Sequence, residues 1–258
     1  MSIQQTATTI KQGMKTKKAV SLKSFVEMSS TLNGRDKLTK LLQYGARFFV
    51  WYFQSISPNY PLRAKAFNLY KTTQVSRKAF RILKVLDEVV RLQVALGHSS
   101  LSHKHILQAI RAIAMGMFWS FDNLNYLTTT KTIKYGNMRA LKGFSRCWTV
   151  GSIVLLWLGL ESVVEQHREK KKLLAGDIEQ GEREERLLKA NAAQVKGGLT
   201  AVKGICDFLC AINIHGMELP RKFTGKKWND GIIGALGAVS AFTTIYNSWP
   251  DDMPVKSA

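Results

Sequence analysis

Acidic residues, cysteine and proline are scarce in this chain of 258 residues. Only 18 Asp and Glu oppose 38 Lys and Arg, so the formal net charge is +20 and the sequence pI is near 10.0. Three cysteines cannot close a disulfide framework, which indicates a reducing compartment. With 5 prolines and 45% apolar residues, the chain has few helix breakers and enough apolar side chains for a core, which excludes general disorder.

Sequence signatures of catalysis are also missing. There is no glycine-rich phosphate loop, no dinucleotide-binding glycine pattern, no HExxH and no pair of CxxC motifs. His103 and His105 are typical of a solvated loop rather than of a metal site. Cys206 and Cys210 lie in an apolar run, where buried thiols are more common than metal ligands. We therefore predict no enzymatic activity, no cofactor and no metal.

The positive charge is concentrated in one block. Residues 31–149 hold 19 basic and 4 acidic residues, which favours an anionic partner surface. Residues 166–190 mix 7 basic with 6 acidic residues and contain no aromatic residue, which indicates a solvated helical or loop connector. The composition predicts a basic mobile N-terminal arm (1–30), a basic amphipathic helical region (31–146), an apolar helix (147–164), a charged connector (165–196), a C-terminal apolar helical hairpin (197–250) and a tail (251–258).

The basic block opens with one apolar helix stripe. From Arg35 onward, apolar residues recur at spacings of three and four, and Pro58 and Pro61 end the pattern. Asp36 falls in the expected first turn, where a carboxylate favours the positive end of the helix dipole. The stripe fits a core-packing helix and a membrane-facing helix equally well.

A second pattern predicts one continuous amphipathic helix over residues 75–96. On a helical wheel, cationic side chains fill a narrow arc and aliphatic side chains the opposite face. A helix of this kind lies in an anionic lipid interface, but the same pattern also suits a half-buried surface helix of a bundle. The candidate membrane-binding residues are Arg77, Lys78, Phe80, Arg81, Ile82, Leu83, Lys84, Leu86, Val89, Val90 and Arg91.

Two uncharged runs are candidates for membrane spans. Residues 147–160 number 14, fewer than the ~17–25 of a spanning helix, so this run fits a core helix, a re-entrant helix or a short span. Residues 231–250 number 20 and are the better candidate for a span. The fold class that follows is all-α, a membrane-associated helical bundle with amphipathic helices and one or two apolar spanning or re-entrant helices.

The longer run carries small residues at four-residue spacing. Such a stripe lets two helix backbones approach closely in a membrane. It fits a self-association face, and it fits packing within the chain, for instance against residues 197–217. The candidate oligomerisation residues are Gly231, Gly234, Ala235, Gly237, Ala238 and Ala241.

Residues 32–53, LNGRDKLTKLLQYGARFFVWYF, resemble the N-terminal signature of the peroxisomal biogenesis factor 11 family. The residues that carry the resemblance are Asn33, Gly34, Arg35, Asp36, Lys37, Leu41, Gln43 and Tyr44. The run SRKAFRILKVLDEV resembles the cationic amphipathic helix of that family, and the apolar run ending in Trp249 and Pro250 resembles its closing segment. The likeness reaches both ends of the chain.

The resemblance implies a protein of the peroxisomal membrane, or of the glycosomal membrane, that elongates and divides the organelle. It implies that a helix at residues 76–92 wedges into the cytosolic leaflet, so an anionic phospholipid membrane is the expected partner. It also implies self-association and recruitment of the organelle fission machinery. An oligomeric pore for small metabolites is the alternative, with Glu161, Lys203 and Asp207 as its charged candidates. A nucleic-acid partner is not expected, since only the charge supports one.

Overall fold

The computed structural model describes residues 21–176 and 179–250, and within these ranges the chain is all-helical, with no strand. This confirms the predicted fold class. In chain order the helices are α1 (Leu22–Ser30), α2 (Leu32–Ile56), α3 (Pro61–Ala79), α4 (Val85–Leu96), α5 (His103–Thr129), α6 (Asn137–Ala175), α7 (Gln180–Ile212), α8 (Leu219–Thr224) and α9 (Asp230–Ser248).

Local signals in the sequence account for several helix starts. The Thr31 hydroxyl accepts a hydrogen bond from the Gly34 amide at 2.9 Å, so α2 begins at Leu32, three residues before the apolar pattern that starts at Arg35. Pro61 stands in the first turn of α3, where its missing amide is not needed. Ser102 caps α5 and Asn229 caps α9 through their side-chain oxygens.

The helix boundaries revise the predicted division of the chain. Residues 22–30 form α1 rather than an arm, while residues 1–20 and 251–258 lie outside the described residues. The apolar helix at 147–164 is the middle of the 39-residue α6. The predicted connector, 165–196, comprises the end of α6 and the first half of α7, so it is largely helical.

The larger helices form a closed ring. Helices α2, α9, α7, α6 and α5 pack successively against one another, and α3 contacts both α2 and α5. Between α6 and α7 the backbones approach closely, because a Cβ added to Gly159 would lie 2.6 Å from the Ala201 nitrogen. A Cβ on Gly204 would lie 2.6 Å from the Leu156 nitrogen, so a second glycine permits the same contact.

An aromatic core occupies one part of the interior. The Phe118 ring lies 4.5 Å from the Trp119 ring and 5.7 Å from the Trp148 ring, centroid to centroid. Tyr44 from α2 and Ile233 from α9 belong to the same buried cluster. The core therefore joins the first and last long helices to the middle of the bundle.

Large apolar side chains cover the outside of the bundle. Val94 is 64% exposed, Trp157 61% and Phe242 60%, although they lie on three different helices. A water-soluble chain would bury most such side chains. The outer apolar surface is made of Phe49, Trp51 and Tyr52 on α2, Leu86, Val90 and Val94 on α4, Ile110, Ile113 and Met117 on α5, Ile153, Trp157 and Leu160 on α6, Val202 and Ile205 on α7, and Val239 and Phe242 on α9.

Within the described ranges, α6 is the one helix long and apolar enough, by length and composition, to cross a membrane. Only a third of its most apolar stretch is buried inside the bundle. The prediction that residues 231–250 make the better span is wrong by this measure. The apolar run at 147–160 looked short because charged residues flank it, but the helix continues through them in both directions.

Candidate functional site

A buried charge cluster centred on Asp36 joins α2 to the segment from α3 to α4. Arg77 Nε lies 3.0 Å and Arg81 Nε 2.9 Å from Asp36 Oδ1, and Lys84 Nζ lies 3.6 Å from Oδ2. The Arg81 guanidinium also reaches Asp122 on α5 at 3.2 Å. Each of these carboxylate and guanidinium side chains is largely shielded from solvent, the Arg77 side chain to 5% exposure. Buried charges require such pairing, because desolvation of an isolated ion is costly.

Hydrogen bonds and an aromatic ring complete the buried charge cluster. Arg77 Nη1 donates to Gln43 Oε1 at 2.6 Å, and the Lys78 ammonium donates to Asn125 Oδ1. The Lys84 ammonium stands 4.7 Å from the centroid of the Trp119 ring, in a cation–π contact. The cluster therefore ties three helices, α2, α3 and α5, and the turn at residues 80–84 together through polar side chains.

The turn at residues 80–84 places these cations. The prediction of one continuous helix over 75–96 is wrong, because α3 ends at Ala79 and α4 begins at Val85. Leu83 adopts φ 65°, a left-handed conformation that a helix does not contain. The break reorients the chain, so Arg81 and Lys84 point into the bundle instead of lying along one exposed arc.

The aliphatic partners of the same segment point outward. Leu83 is 64% exposed, Leu86 57% and Val90 58%, with Ile82 and Val89 also exposed. Phe80 is half-buried and the Arg91 side chain is 54% exposed, pairing with Glu88. Apart from Arg91 and Phe80, the predicted amphipathic residues thus separate into cations that face the protein and aliphatic side chains that face out.

The residues of the N-terminal motif take distinct structural roles. Gly34 has no room for a side chain, since a Cβ there would lie 1.7 Å from the Met28 carbonyl oxygen. Arg35 donates to the Ser29 carbonyl at 2.8 Å, and Lys37 donates to the Ser248 hydroxyl at 2.7 Å. Leu41 is half-buried on α2, while Gln43 and Tyr44 are buried. Asp36 is also buried, so it serves the charge cluster rather than the helix dipole.

A second buried polar group surrounds Asp207. Its Oδ1 accepts from the Lys40 ammonium at 3.0 Å and from the Ser240 hydroxyl at 2.5 Å, and its Oδ2 pairs with Lys203. Lys203 and Asp207 were expected as charges inside a span, and the structure brings them together. Glu161, the third expected charge, lies elsewhere, with Oε1 2.5 Å from His103 Nε2.

The sequence analysis missed Lys40, Asp122, Arg111 and Ser240 as interior polar residues. For Lys40 a signal existed, because Asp36, Lys40 and Gln43 repeat at helical spacing beside the apolar stripe of α2. Asp122 and Ser240 stand alone in apolar or uncharged runs, so their partners on other helices could not be identified from spacing.

A central cavity of 660 Å³ lies between the two polar groups. Asp36, Arg77 and Arg81 line it on one side, and Lys40 and Asp207 also contribute to its wall. Basic side chains outnumber acidic ones in the lining, so the interior is cationic.

The small-residue stripe of α9 packs against α2. A Cβ on Gly237 would lie 2.0 Å from the Tyr44 ring, one on Gly234 2.5 Å from the Phe48 nitrogen, and one on Gly231 2.3 Å from the Trp51 ring. Ala241 is buried, Ala238 half-buried and Ala235 exposed. Of the two interpretations left open by the sequence, packing within the chain is the one the structure contains, with α2 as the main partner.

The loop between α7 and α9 holds a separate charged group. Glu218 lies 3.5 Å from His215 and also contacts Lys227. Hydrogen bonding to the Lys227 ammonium lowers the pKa of Glu218. The carboxylate thus stays ionised and holds the loop that leads into α9.

Charges paired inside and aliphatic side chains exposed outside define a helical membrane protein, because a hydrocarbon environment reverses the usual surface. The chain belongs to the peroxisomal biogenesis factor 11 family, whose model matches residues 22–249. It is therefore a peroxisomal membrane protein involved in peroxisome proliferation. The family is one of biogenesis factors and not a known enzyme family.

Curated relatives agree with this assignment. The chain is 25% identical over 153 residues to "Peroxisomal membrane protein 11 homolog" of Dictyostelium discoideum, a match that spans 59% of each chain. It is 25% identical over 219 residues to "Peroxisomal membrane protein 11-4" of Oryza sativa subsp. indica, covering 84% of this chain and 92% of the relative. No solved structure gives a significant match.

Proposed function

We propose that this chain remodels and elongates the peroxisomal membrane, promotes peroxisome fission and thereby controls organelle size and number. The observation that carries the proposal is the orientation of the segment from α3 to α4. Its cations are held inside by Asp36, while Leu83, Leu86 and Val90 are more than half exposed.

The length of α4 supports a wedge confined to one leaflet. Its 12 residues extend about 18 Å, shorter than the ~30 Å hydrocarbon core of a bilayer. Leu86, Val90 and Val94 follow one another at four-residue spacing and present a continuous aliphatic ridge. A short helix that inserts such a ridge among acyl chains adds area to one leaflet and so favours curvature.

The buried cations of this segment anchor the turn to the rest of the protein instead of contacting lipid headgroups. Arg77 and Arg81 stabilise the turn against α2 and α5, so the wedge is held at a defined angle to the spanning helix α6. Other cations, which are exposed on α3 and include Lys65 and Lys71, then attract the anionic lipid.

The test replaces the aliphatic ridge without touching the charge cluster. The double substitution Leu86→Gln and Val90→Gln should abolish tubulation of vesicles containing anionic lipid and reduce peroxisome number in cells. Leu86→Ile with Val90→Ile is the matched control and should retain both activities. Membrane fractionation should find all variants in the organelle membrane. Unchanged tubulation by the Gln variant would refute the wedge.

Self-association and recruitment of the fission machinery belong to the same proposal. Because α2 covers Gly231, Gly234 and Gly237, a second copy would have to contact another part of the outer apolar surface. Phe242 is 60% exposed on α9 and is a suitable position for crosslinking between copies.

A pore is the second candidate, and the cationic central cavity favours it. A pore formed around this cavity would conduct anions in preference to cations. In planar bilayers, Lys203→Gln should reduce anion selectivity, while Glu161→Gln, outside the cavity lining, should not. Absence of conductance from the intact chain would exclude this function.

A further inference from the structure

A second cavity, of 540 Å³, lies among α4, α5, α6 and α7. Its size is within the range of about 300–1,000 Å³ that is usual for ligand pockets. Most of its wall is aliphatic or small, and its charged lining residues are the cations Arg91, Arg111 and Lys196. Among the described residues, no carboxylate lines it, in contrast to the central cavity, whose lining shares Arg91 and Arg111 with it.

Arg111 differs from the other interior arginines of the bundle, because its guanidinium lacks a carboxylate partner within the described ranges. In the described part of the chain, its Nε is buried without a hydrogen-bond partner, and no carboxylate comes within 4.0 Å of its guanidinium. The other interior guanidinium groups, those of Arg77 and Arg81, each bond a buried carboxylate. Arg111 as a whole is half-buried, and leaving a cation in such a place unpaired is unfavourable, so the position suits an anion that enters from outside.

Glu88 is a buried carboxylate of the same region, and one of its two oxygens is engaged. Glu88 Oε1 accepts from Arg91 at 2.9 Å and from the Trp119 indole at 3.4 Å. Arg91 is thereby paired. Glu88 Oε2 has no hydrogen-bond partner among the described residues, and it forms no ion pair within 4.0 Å with Arg111, so Arg111 and the exposed Lys196 keep their charge available to an anion.

The rim of this cavity belongs to the outer apolar surface. Val90 and Val94 line it and are 58% and 64% exposed. On the inner side, Ala112, Ala193 and Gly159 provide a wall without large side chains. A ligand that enters here must satisfy a guanidinium at one end and aliphatic walls along the rest of its length.

We propose that this cavity binds an anionic amphiphile, an acyl chain with a phosphate or carboxylate head, with Arg111 as the main contact of the head. This goes beyond membrane bending, because it assigns a stoichiometric lipid site inside the bundle. A phospholipid and a free fatty acid share this chemistry, and the experiment separates them.

The experiment titrates the delipidated full-length chain in detergent micelles and counts bound molecules by native mass spectrometry. The probes are dioleoylphosphatidylserine and oleate, with neutral dioleoylglycerol, which has the acyl chains but no phosphate or carboxylate, for comparison. One anionic probe should bind saturably at one molecule per chain. In a competition between the two anionic probes, the one that displaces the other shows whether the natural ligand is a phospholipid or a free fatty acid. Binding of the neutral lipid with equal affinity would overturn the proposal.

Three variants assign the contact. Arg111→Gln should weaken binding roughly tenfold, since a hydrogen bond to a charged group is lost. Arg111→Lys should largely restore it, and Arg168→Gln, at an exposed arginine of α6, is the matched control and should bind normally. Equal binding by Arg111→Gln and Arg168→Gln would refute the site.

A steric variant keeps the test decisive if Arg111→Gln loses its helical circular dichroism. Ala193→Phe fills the cavity without a change in charge and should abolish binding of both anionic probes. Retained binding by this variant would show that the lipid lies elsewhere and would overturn the proposal.

Discussion

Arg77 and Asp36 form a buried ion pair, with Nε 3.0 Å from Oδ1, although 41 positions separate them in the chain. Asp36 belongs to the N-terminal motif and Arg77 to the amphipathic pattern, and the sequence patterns predicted no contact between these two segments. Their pairing means that the motif positions the amphipathic segment. It also changes what substitutions in either segment should do.

Asp36→Asn removes the charge at nearly constant volume and leaves Arg77 and Arg81 without their shared carboxylate. Loss of one partner of a buried pair costs about 3–5 kcal/mol, so the variant should unfold at clearly lower temperature or denaturant concentration in detergent. Asp87→Asn, at an exposed position of α4, is the control and should change stability little. Equal stability of the two variants would contradict the buried charge cluster.

Charge reversal at Arg77, Arg81 and Lys84 should lower the amount of folded protein. Three Glu side chains beside Asp36 would repel one another and remain desolvated. Protease resistance and steady-state abundance in the organelle membrane measure this effect. Lys65→Glu on the exposed side of α3 should keep normal abundance while weakening attachment to anionic vesicles. A triple variant that folds normally but fails to deform membranes would restore the headgroup-contact mechanism.

Leu83→Asn should separate stability from function. Asn tolerates the left-handed conformation at φ 65°, so we expect a gain of roughly 0.5–1 kcal/mol in stability. The same change removes an aliphatic side chain that is 64% exposed, so vesicle tubulation should fall. Leu83→Ala removes most of the side chain without relieving the backbone, and it should reduce tubulation with no gain in melting temperature. If Leu83→Asn lowered both the melting temperature and vesicle tubulation, or raised both, stability and function would not be separable at this position.

Gly237→Val should disrupt the packing of α9 on α2, because its Cβ would lie 2.0 Å from the Tyr44 ring. We expect loss of thermal stability in the monomeric chain. Ala235→Val, at an exposed position of the same helix, should be tolerated. If Gly237→Val instead weakened crosslinking between copies while leaving the monomer intact, the stripe would be a self-association face after all.

Local patterns predicted much of the fold. Apolar spacing located α2, Pro58 and Pro61 marked its end, and the uncharged run at 147–160 lay within the helix that can span a membrane. The turn at Leu83 was not predictable, because residues 80–84 contain no glycine or proline and keep a helical distribution of apolar side chains. Tertiary ion pairs to Asp36 and Asp122 favour the break over helix continuity.

The sequence by itself determined the helical class, the family and the division of residues 75–96 into charged and aliphatic sides, since periodicity and motif residues are local properties. Only the tertiary structure decided which side faces outward. That choice depends on whether a carboxylate stands opposite the cations, and Asp36 and Asp122 come from distant helices. Pairing two buried charges offsets their desolvation, and the aliphatic side is then left for the membrane.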